Sequence, residues 1–291
     1  MPLVVESVSA TATASSTTVT VTKPAGLVVG ELIVAILSSY GTPNDNNGSF
    51  NTLSGWSKAV GGNYGNEIGQ SIQYKLAASG DVAASNFTFT HTNSKDLVGK
   101  IIRVSGNNVL TGGLAATDGQ TGGNTGATFD GTLTAFTPPV DGALVIMQVG
   151  GSDTSGSART VGSYTVAGTS FTEAYDESVS GSEYGGAAAA YGIQGTAAEI
   201  STYKATFSIQ PDDFFGQLAV FYPPVNASGS NTLAETTTTT FTQAGTCDTI
   251  GGTNVLTEGT GVTLTQTGVG TAPTQWTNEV KPSTTWVNET K

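Results

Sequence analysis

Side chains able to do chemistry are few and scattered in this 291-residue chain. The carboxylates closest to forming a set are Asp176, Glu177 and Glu183 in a mid-chain loop, with Asp212-Asp213 further on. Two carboxylates facing each other across a sugar would supply the acid and base of glycoside hydrolysis. Nothing in the spacing of these residues singles out a pair, and acidic side chains in a chain of formal net charge −12 are expected in solvated loops. Asn44-Asp45-Asn46-Asn47-Gly48 is dense in oxygen ligands but lacks the spaced carboxylates and bidentate Glu of a calcium loop. It is expected to be a plain turn, in which Asn and Asp cap their own backbone. His91 and Cys247 are single residues of their type, so neither a Cys/His metal site nor an intrachain disulfide can form. His91 is expected at a strand end as a surface or half-buried hydrogen-bonder, and Cys247 as a small buried side chain. Trp56, Tyr64, Tyr164 and Tyr184 are the candidates for stacking on a glycan, with the core as the plainer place for Trp56. The expectation is no catalytic residue, no metal and no cofactor.

The elements that would position these residues are strands. Gly supplies 39 residues and charged residues only 11%, against about 25% in an average protein. Glu, Lys, Arg and Leu are sparse while Thr, Val, Tyr and Phe recur, which is an all-β composition. A sequence pI near 4.3 opposes binding to nucleic acid or an anionic membrane surface. The N-terminus, Met1-Pro2-Leu3-Val4-Val5-Glu6, lacks the charged and apolar regions of a signal peptide, so the chain is expected to be made in the cytoplasm.

The most informative stretch is Lys23-Pro24-Ala25-Gly26-Leu27-Val28-Val29-Gly30-Glu31 followed by the apolar run Leu32 to Leu37. The run is too short to span a bilayer and is bounded by turn residues, so it reads as a buried strand. Thr17-Thr18-Val19-Thr20-Val21-Thr22 alternates before it. After it come Gly55-Trp56, a strand from Ile68 to Leu76, a Gly80-Asp81 turn, and the strands Phe87-Thr88-Phe89-Thr90 and Val98 to Val104.

The pattern then starts again. Pro138 to Met147 repeats the turn and apolar run, Gly142-x-Leu144 matching Gly30-x-Leu32 at an offset of 112 (142 − 30). Tyr191 matches Tyr74 and Gly216 matches Gly99, both at an offset of 117 (191 − 74 and 216 − 99). A register held across several elements points to a duplicated domain. Tyr222-Pro223-Pro224 closes the second copy, since proline cannot continue a ladder. The remainder holds a Thr236–Thr240 run, a short strand Val262-Thr263-Leu264-Thr265, and a tandem decapeptide starting at Trp276 and Trp286. A polar segment of this size has no core of its own, and repeated tryptophans are typical interface anchors.

Taken together, the Lys23-Pro24-Ala25-Gly26 turn, Gly30-Glu31-Leu32, Gly55-Trp56, Tyr74-Lys75 and Ile101-Ile102-Arg103-Val104 resemble a pattern in virion structural proteins of tailed bacteriophages. In the second copy Gly162-Ser163-Tyr164 is expected in place of Gly-Trp. The Trp-Thr-Asn-Glu-x-Lys-Pro-Ser-Thr-Thr repeat is similar to the tails of such proteins. The resemblance implies a non-enzymatic role at the particle surface, in the tail, baseplate or a fibre, with capsid decoration or a head fibre as the alternative; a carbohydrate-binding module using Trp56, Tyr64, Tyr164 or Tyr184 is a separate alternative outside that resemblance. It carries over no catalytic residue.

The expected architecture is all-β: two tandem antiparallel β-sandwiches, jelly-roll-like, over 1–108 and 109–224, followed by an irregular Thr/Gly-rich C-terminal extension over 225–291. The chain is expected to form a homo-oligomer, with a trimer as first guess, through exposed strand edges and through Trp276, Trp286, Lys281 and Pro282. Other virion proteins and a host surface glycan are the further expected partners, and localisation in the virion follows.

Overall fold

Successive side chains of a strand point to opposite faces, so a run in which every residue is apolar needs a core on each side. The computed structural model describes residues 2–40, 49–64, 68–106, 111–120, 127–153, 160–178, 184–211, 213–223, 239–244 and 262–267, and it places a core on both faces of the Leu32 run. The protein is almost entirely antiparallel β-structure.

The first half comprises β1 (Val4–Val8), β2 (Ala12–Thr22), β3 (Leu32–Tyr40), β4 (Ser57–Tyr64), β5 (Ile68–Leu76), a one-turn helix α1 (Ser79–Ala83) and β6 (Asn86–Ser105). Five strands form a large sheet in the order β1-β6-β3-β5-β4, and β2 pairs with β6 to form a second layer. Two expectations are corrected. Phe87–Thr90 and Val98–Val104 are one twenty-residue strand that passes from one layer to the other. It turns where pairing with β2 jumps from Thr18↔Thr90 to Ser16↔Lys95, a register shift that puts the extra residues around His91 on the β6 side. The Gly80-Asp81 turn is helical, because the Asp81 carboxylate accepts the Ala78 N–H at 2.7 Å and pairs with Lys75 at 2.8 Å.

The second half comprises β7 (Thr111–Gln120), β8 (Thr128–Phe136), β9 (Ala143–Asp153), β10 (Val161–Thr165), β11 (Thr172–Ser178), β12 (Tyr184–Gln194), β13 (Ile200–Phe207) and β14 (Asp213–Tyr222). Its large sheet runs β7-β14-β9-β12-β11, repeating the order of the first, and β10-β13-β8 form the small sheet. The ladders keep the sequence offsets: Ile36 pairs with Ile72 and Gln148 with Ala189, Leu37 with Gly99 and Val149 with Gly216. One matched pair moves. Ser57 lies opposite Tyr74 and Thr172 opposite Tyr191, so Phe171 is the counterpart of Trp56, while Gly162-Ser163-Tyr164 belongs to the small sheet.

The two large sheets pack on each other. Leu32, Val34 and Ile36 share a core with Leu144, Ile146 and Ala189. The alternate residues Ile33, Ala35 and Leu37 pack under Val19, Val21 and Phe89 of the first outer layer. Val145, Met147 and Val149 pack under Phe129, Tyr203 and Phe207 of the other. The order of layers is therefore small, large, large, small, and β3 and β9 are enclosed on both sides. Gly99 and Gly216 hold equivalent places where an outer layer comes closest: a Cβ on Gly99 would lie 2.8 Å from Val21, and one on Gly216 2.3 Å from the Phe129 ring.

Residues Met1–Val225 form one compact unit and Asn226–Lys291 a second. In the second unit β15 (Thr239–Ala244) pairs in parallel with β16 (Val262–Thr267), so the expected strand at Val262 is present and the end of the Thr run is also a strand.

Gly216→Ala should destabilise the first unit by about 1–3 kcal/mol, because a methyl group has no room against the Phe129 ring. Gly80→Ala, whose Cβ meets nothing within 4 Å, is the control. Urea unfolding should show a lower midpoint with unchanged slope for Gly216→Ala only, and coincident curves for both variants would refute the close packing.

Candidate functional site

The Pro-Gly turn before β3 is held by a charged clasp. Glu31 accepts Arg103 Nε at 2.6 Å and Nη2 at 2.7 Å, and its carboxylate also takes the Val28 N–H at 2.9 Å. Arg103 Nη1 reaches the Ala25 carbonyl at 3.2 Å. Burial alone would raise the Glu31 pKa, but the Arg103 and Val28 hydrogen bonds outweigh it and hold the carboxyl below its usual value. Val28 and Val29 in this turn are 52% and 63% exposed.

Between the large sheets lies a row of polar side chains. Ser38 on β3 and Tyr175 on β11 share a hydrogen bond of 2.8 Å across the interface. Gln148 on β9 donates to the Leu37 carbonyl at 2.9 Å and to Tyr175 Oη at 3.0 Å. Burial pushes the Tyr175 hydroxyl well above its usual range, so it stays protonated. At the β6–β11 side, Lys100 donates to the Ala174 carbonyl, and burial lowers its pKa against the opposing charges of Glu173 and Glu177.

Ser39 and His91 come closest in form to a nucleophile and base, with Oγ and Nε2 3.1 Å apart. They are only 2% and 3% exposed, and the Phe50 ring packs edge-on against the imidazole at 5.0 Å. A substrate atom has no route to this pair, so it is a structural hydrogen bond. His91 is thus buried, not at the surface, because the bend in β6 turns it inward beside β3.

The acidic stretch falls on β11, at the edge of its sheet. Asp176 Oδ2 accepts the Val161 N–H at 2.8 Å, tying β10 of the small sheet to β11 of the large one. Burial raises its pKa to about 6, the Val161 hydrogen bond opposing and the Glu173 and Glu177 charges adding to the rise. Glu183 and Asp212 lie outside the described residues, as do the Asn44–Gly48 loop and Cys247; Asp213 begins β14. Among the described residues no group of three or more His, Cys, Asp or Glu could hold a metal ion, and no helix is long and apolar enough to cross a membrane.

Trp56 is 7% exposed, with the rings of Phe87 and Phe89 edge-on at 5.4 Å each, so it offers no face to a sugar. Tyr164 on β10 is half-buried against Phe171, ring centroids 6.0 Å apart. Burial raises the pKa of its hydroxyl, with the Asp176 charge adding. Tyr64 ends β4 and Tyr184 begins β12, with side chains outside the described residues. Trp276, Lys281, Pro282 and Trp286 also lie outside them. No family model matches the chain, and neither a curated protein nor a solved structure matches it.

The residues missed in the sequence are Gln70, Gln148 and Gln217, all buried between the sheets. A signal was present: Gln148 and Gln217 interrupt apolar runs, at Met147-Gln148-Val149 and Gly216-Gln217-Leu218.

Asp176 has a folded pKa of about 6, above its ordinary 3.8. Its contribution to stability is therefore full at low pH and lost as pH rises through about 6. Asp176→Asn, which can still accept from Val161, should abolish this component and be more stable than the parent at pH 7. Thermal melts at pH 4 and pH 7 test it; equal pH dependence in both proteins would sink the assignment.

Proposed function

We propose that the chain is a non-enzymatic structural protein of a tailed-bacteriophage particle, standing at the particle surface in the tail, baseplate or a fibre and working as a homo-oligomer. The observation that carries this reading is the face-to-face union of two antiparallel sandwiches into one body whose aromatic and polar side chains serve packing. The residues that carry the resemblance are the ones that build this scaffold. Glu31 and Arg103 clasp the turn, Trp56 fills the first outer core, and Leu32, Ile102 and Val104 fill the interface between the sheets.

The strand edges bear on how copies would assemble. In the first unit every outer strand carries a register shift in its ladder: β1, β2, β4, β7, β8, β10 and β11. The inner ladders of β9 with β12 and β14, and of β3 with β5 and β6, run without one. Bulges twist an edge away from a flat partner and discourage strand addition. Contacts between copies are therefore assigned to the C-terminal decapeptide repeat, with Trp276 and Trp286 as anchors and Lys281 and Pro282 between them, rather than to the edges.

Light scattering on the full chain and on a chain ending at Pro273 tests the reading. A defined oligomer that falls to a folded monomer on truncation is the expected outcome. An oligomer indifferent to truncation would remove the repeat from assembly. A monomer in both would favour a decoration subunit that orders only on a capsid, which immunogold labelling of particles would locate on the head.

A further inference from the structure

The polar row between the large sheets is only partly satisfied by protein groups. Ser38 pairs with Gln70 on β5, and Gln70 with Gly62 on β4, so these residues share the face turned toward the second half. On the opposing sheet Gln217 pairs directly with Gln148, which puts both amides on the face turned toward the first. Gln70, Gln148 and Gln217 are at most 1% exposed. Yet both polar atoms of Gln70, both of Gln217 and Oε1 of Gln148 have no hydrogen-bond partner in the protein.

Five such atoms in one place is not how buried amides are left, since nearly all find a partner in protein or ordered water. Two glycines stand against these amides, and the side chains of Phe215 and Ile68 close on the same places, 3.2 Å and 2.6 Å from where a Cβ would stand on Gly62 and Gly150. Gln217 Nε2 ends 3.5 Å from where a Cβ would stand on Gly62, and Gln70 Nε2 ends 3.4 Å from that of Gly150. Each amide thus points at a residue of the opposite sheet that has no side chain. Gly62 is only partly buried and lies on the edge strand β4.

We propose that this seam is a binding site for a small cluster of internal water, which bridges Gln70 and Gln217 and joins the two halves of the first unit. The chemistry selects water over an ion. The groups converging here are carboxamides and hydroxyls, neutral at every accessible pH, and they offer donors as well as acceptors. A cation would face amide N–H groups and an anion amide carbonyls, whereas a water molecule donates and accepts and suits both. The unsatisfied set, four amide N–H donors on Gln70 and Gln217 and three carbonyl oxygens with that of Gln148, is met by about two or three waters making three bonds each.

The test is oxygen-17 relaxation dispersion of water on the full chain, which counts waters held longer than the protein tumbles. The parent should show about two or three more such waters than Gln70→Leu/Gln217→Leu, in which apolar side chains of similar size close the seam. Equal counts in two folded proteins would overturn the proposal. Should the double variant fail to fold, a high-resolution crystal structure of the parent decides. Water density within hydrogen-bonding distance of the Gln70 and Gln217 amides supports the site, and a direct amide-to-amide bond with no density between them overturns it.

Discussion

The constraint on which the rest depends is that each large sheet buries both of its faces. A sheet in a single sandwich has one face for the core and one for water, and its strands alternate accordingly. β3 does not alternate; its nine residues are all buried, which requires a layer above and a layer below. The outer layer comes from the same half of the chain and the inner one from the other half. Neither half could leave the other without exposing Leu32, Val34 and Ile36, or Leu144 and Ile146, to water. Each such side chain contributes roughly 1.5–3 kcal/mol by its burial. This is why Met1–Val225 clusters as one compact unit although its strand order occurs twice.

Much of this was legible in the amino acids, and what was not has a definite reason. Alternation at Thr17–Thr22 marks β2, the Pro-Gly turn marks the entry to β3, and the offsets of 112 and 117 are reproduced by the ladders themselves. A continuous apolar run says that both faces of a strand are covered but is silent about what covers them. Face-to-face stacking of the copies was therefore invisible, while the copies were not. The bend in β6 was hidden for a related reason: polar residues from His91 to Lys95 look like a loop in sequence, although the backbone continues as strand through them. His91 followed this bend into the interior. The Trp56 counterpart was misplaced because the second copy carries an additional strand, β10, which brought Tyr164 near the position where an aromatic was sought.

The candidate site was the least legible part. Sequence draws attention to carboxylates and aromatics, and in the described residues these are spent on structure. Asp176 ties one sheet to another, Glu31 braces a turn, and Trp56 and Tyr164 fill cores. The unusual chemistry belongs to glutamines, which carry no charge and draw no motif. Their meaning appears only when strands remote in sequence are superposed, because an amide is unremarkable until it is buried without a partner.

Comparing equivalent positions shows what duplication made possible. The contacts between the large sheets are reciprocal, β3 on β12 and β9 on β5, then β14 on β4 and β6 on β11, as in an isologous pair of identical subunits. In a true pair of identical chains every polar residue placed at the interface would be placed twice. Here the equivalents differ: Ile36 corresponds to Gln148, Ser38 to Gly150, Gln70 to Ala187 and Lys100 to Gln217. In three of these four pairs a polar residue has a small or apolar one as its counterpart, and in the fourth a neutral amide stands where the other copy has a charged lysine. Joining both copies in one chain therefore allows a polar seam that the internal repeat does not duplicate, within an interface that is otherwise symmetric and apolar. The buried amides are met by glycines and hydroxyls of the opposing sheet in the observed alignment, and the apolar rows on either side supply the adhesion.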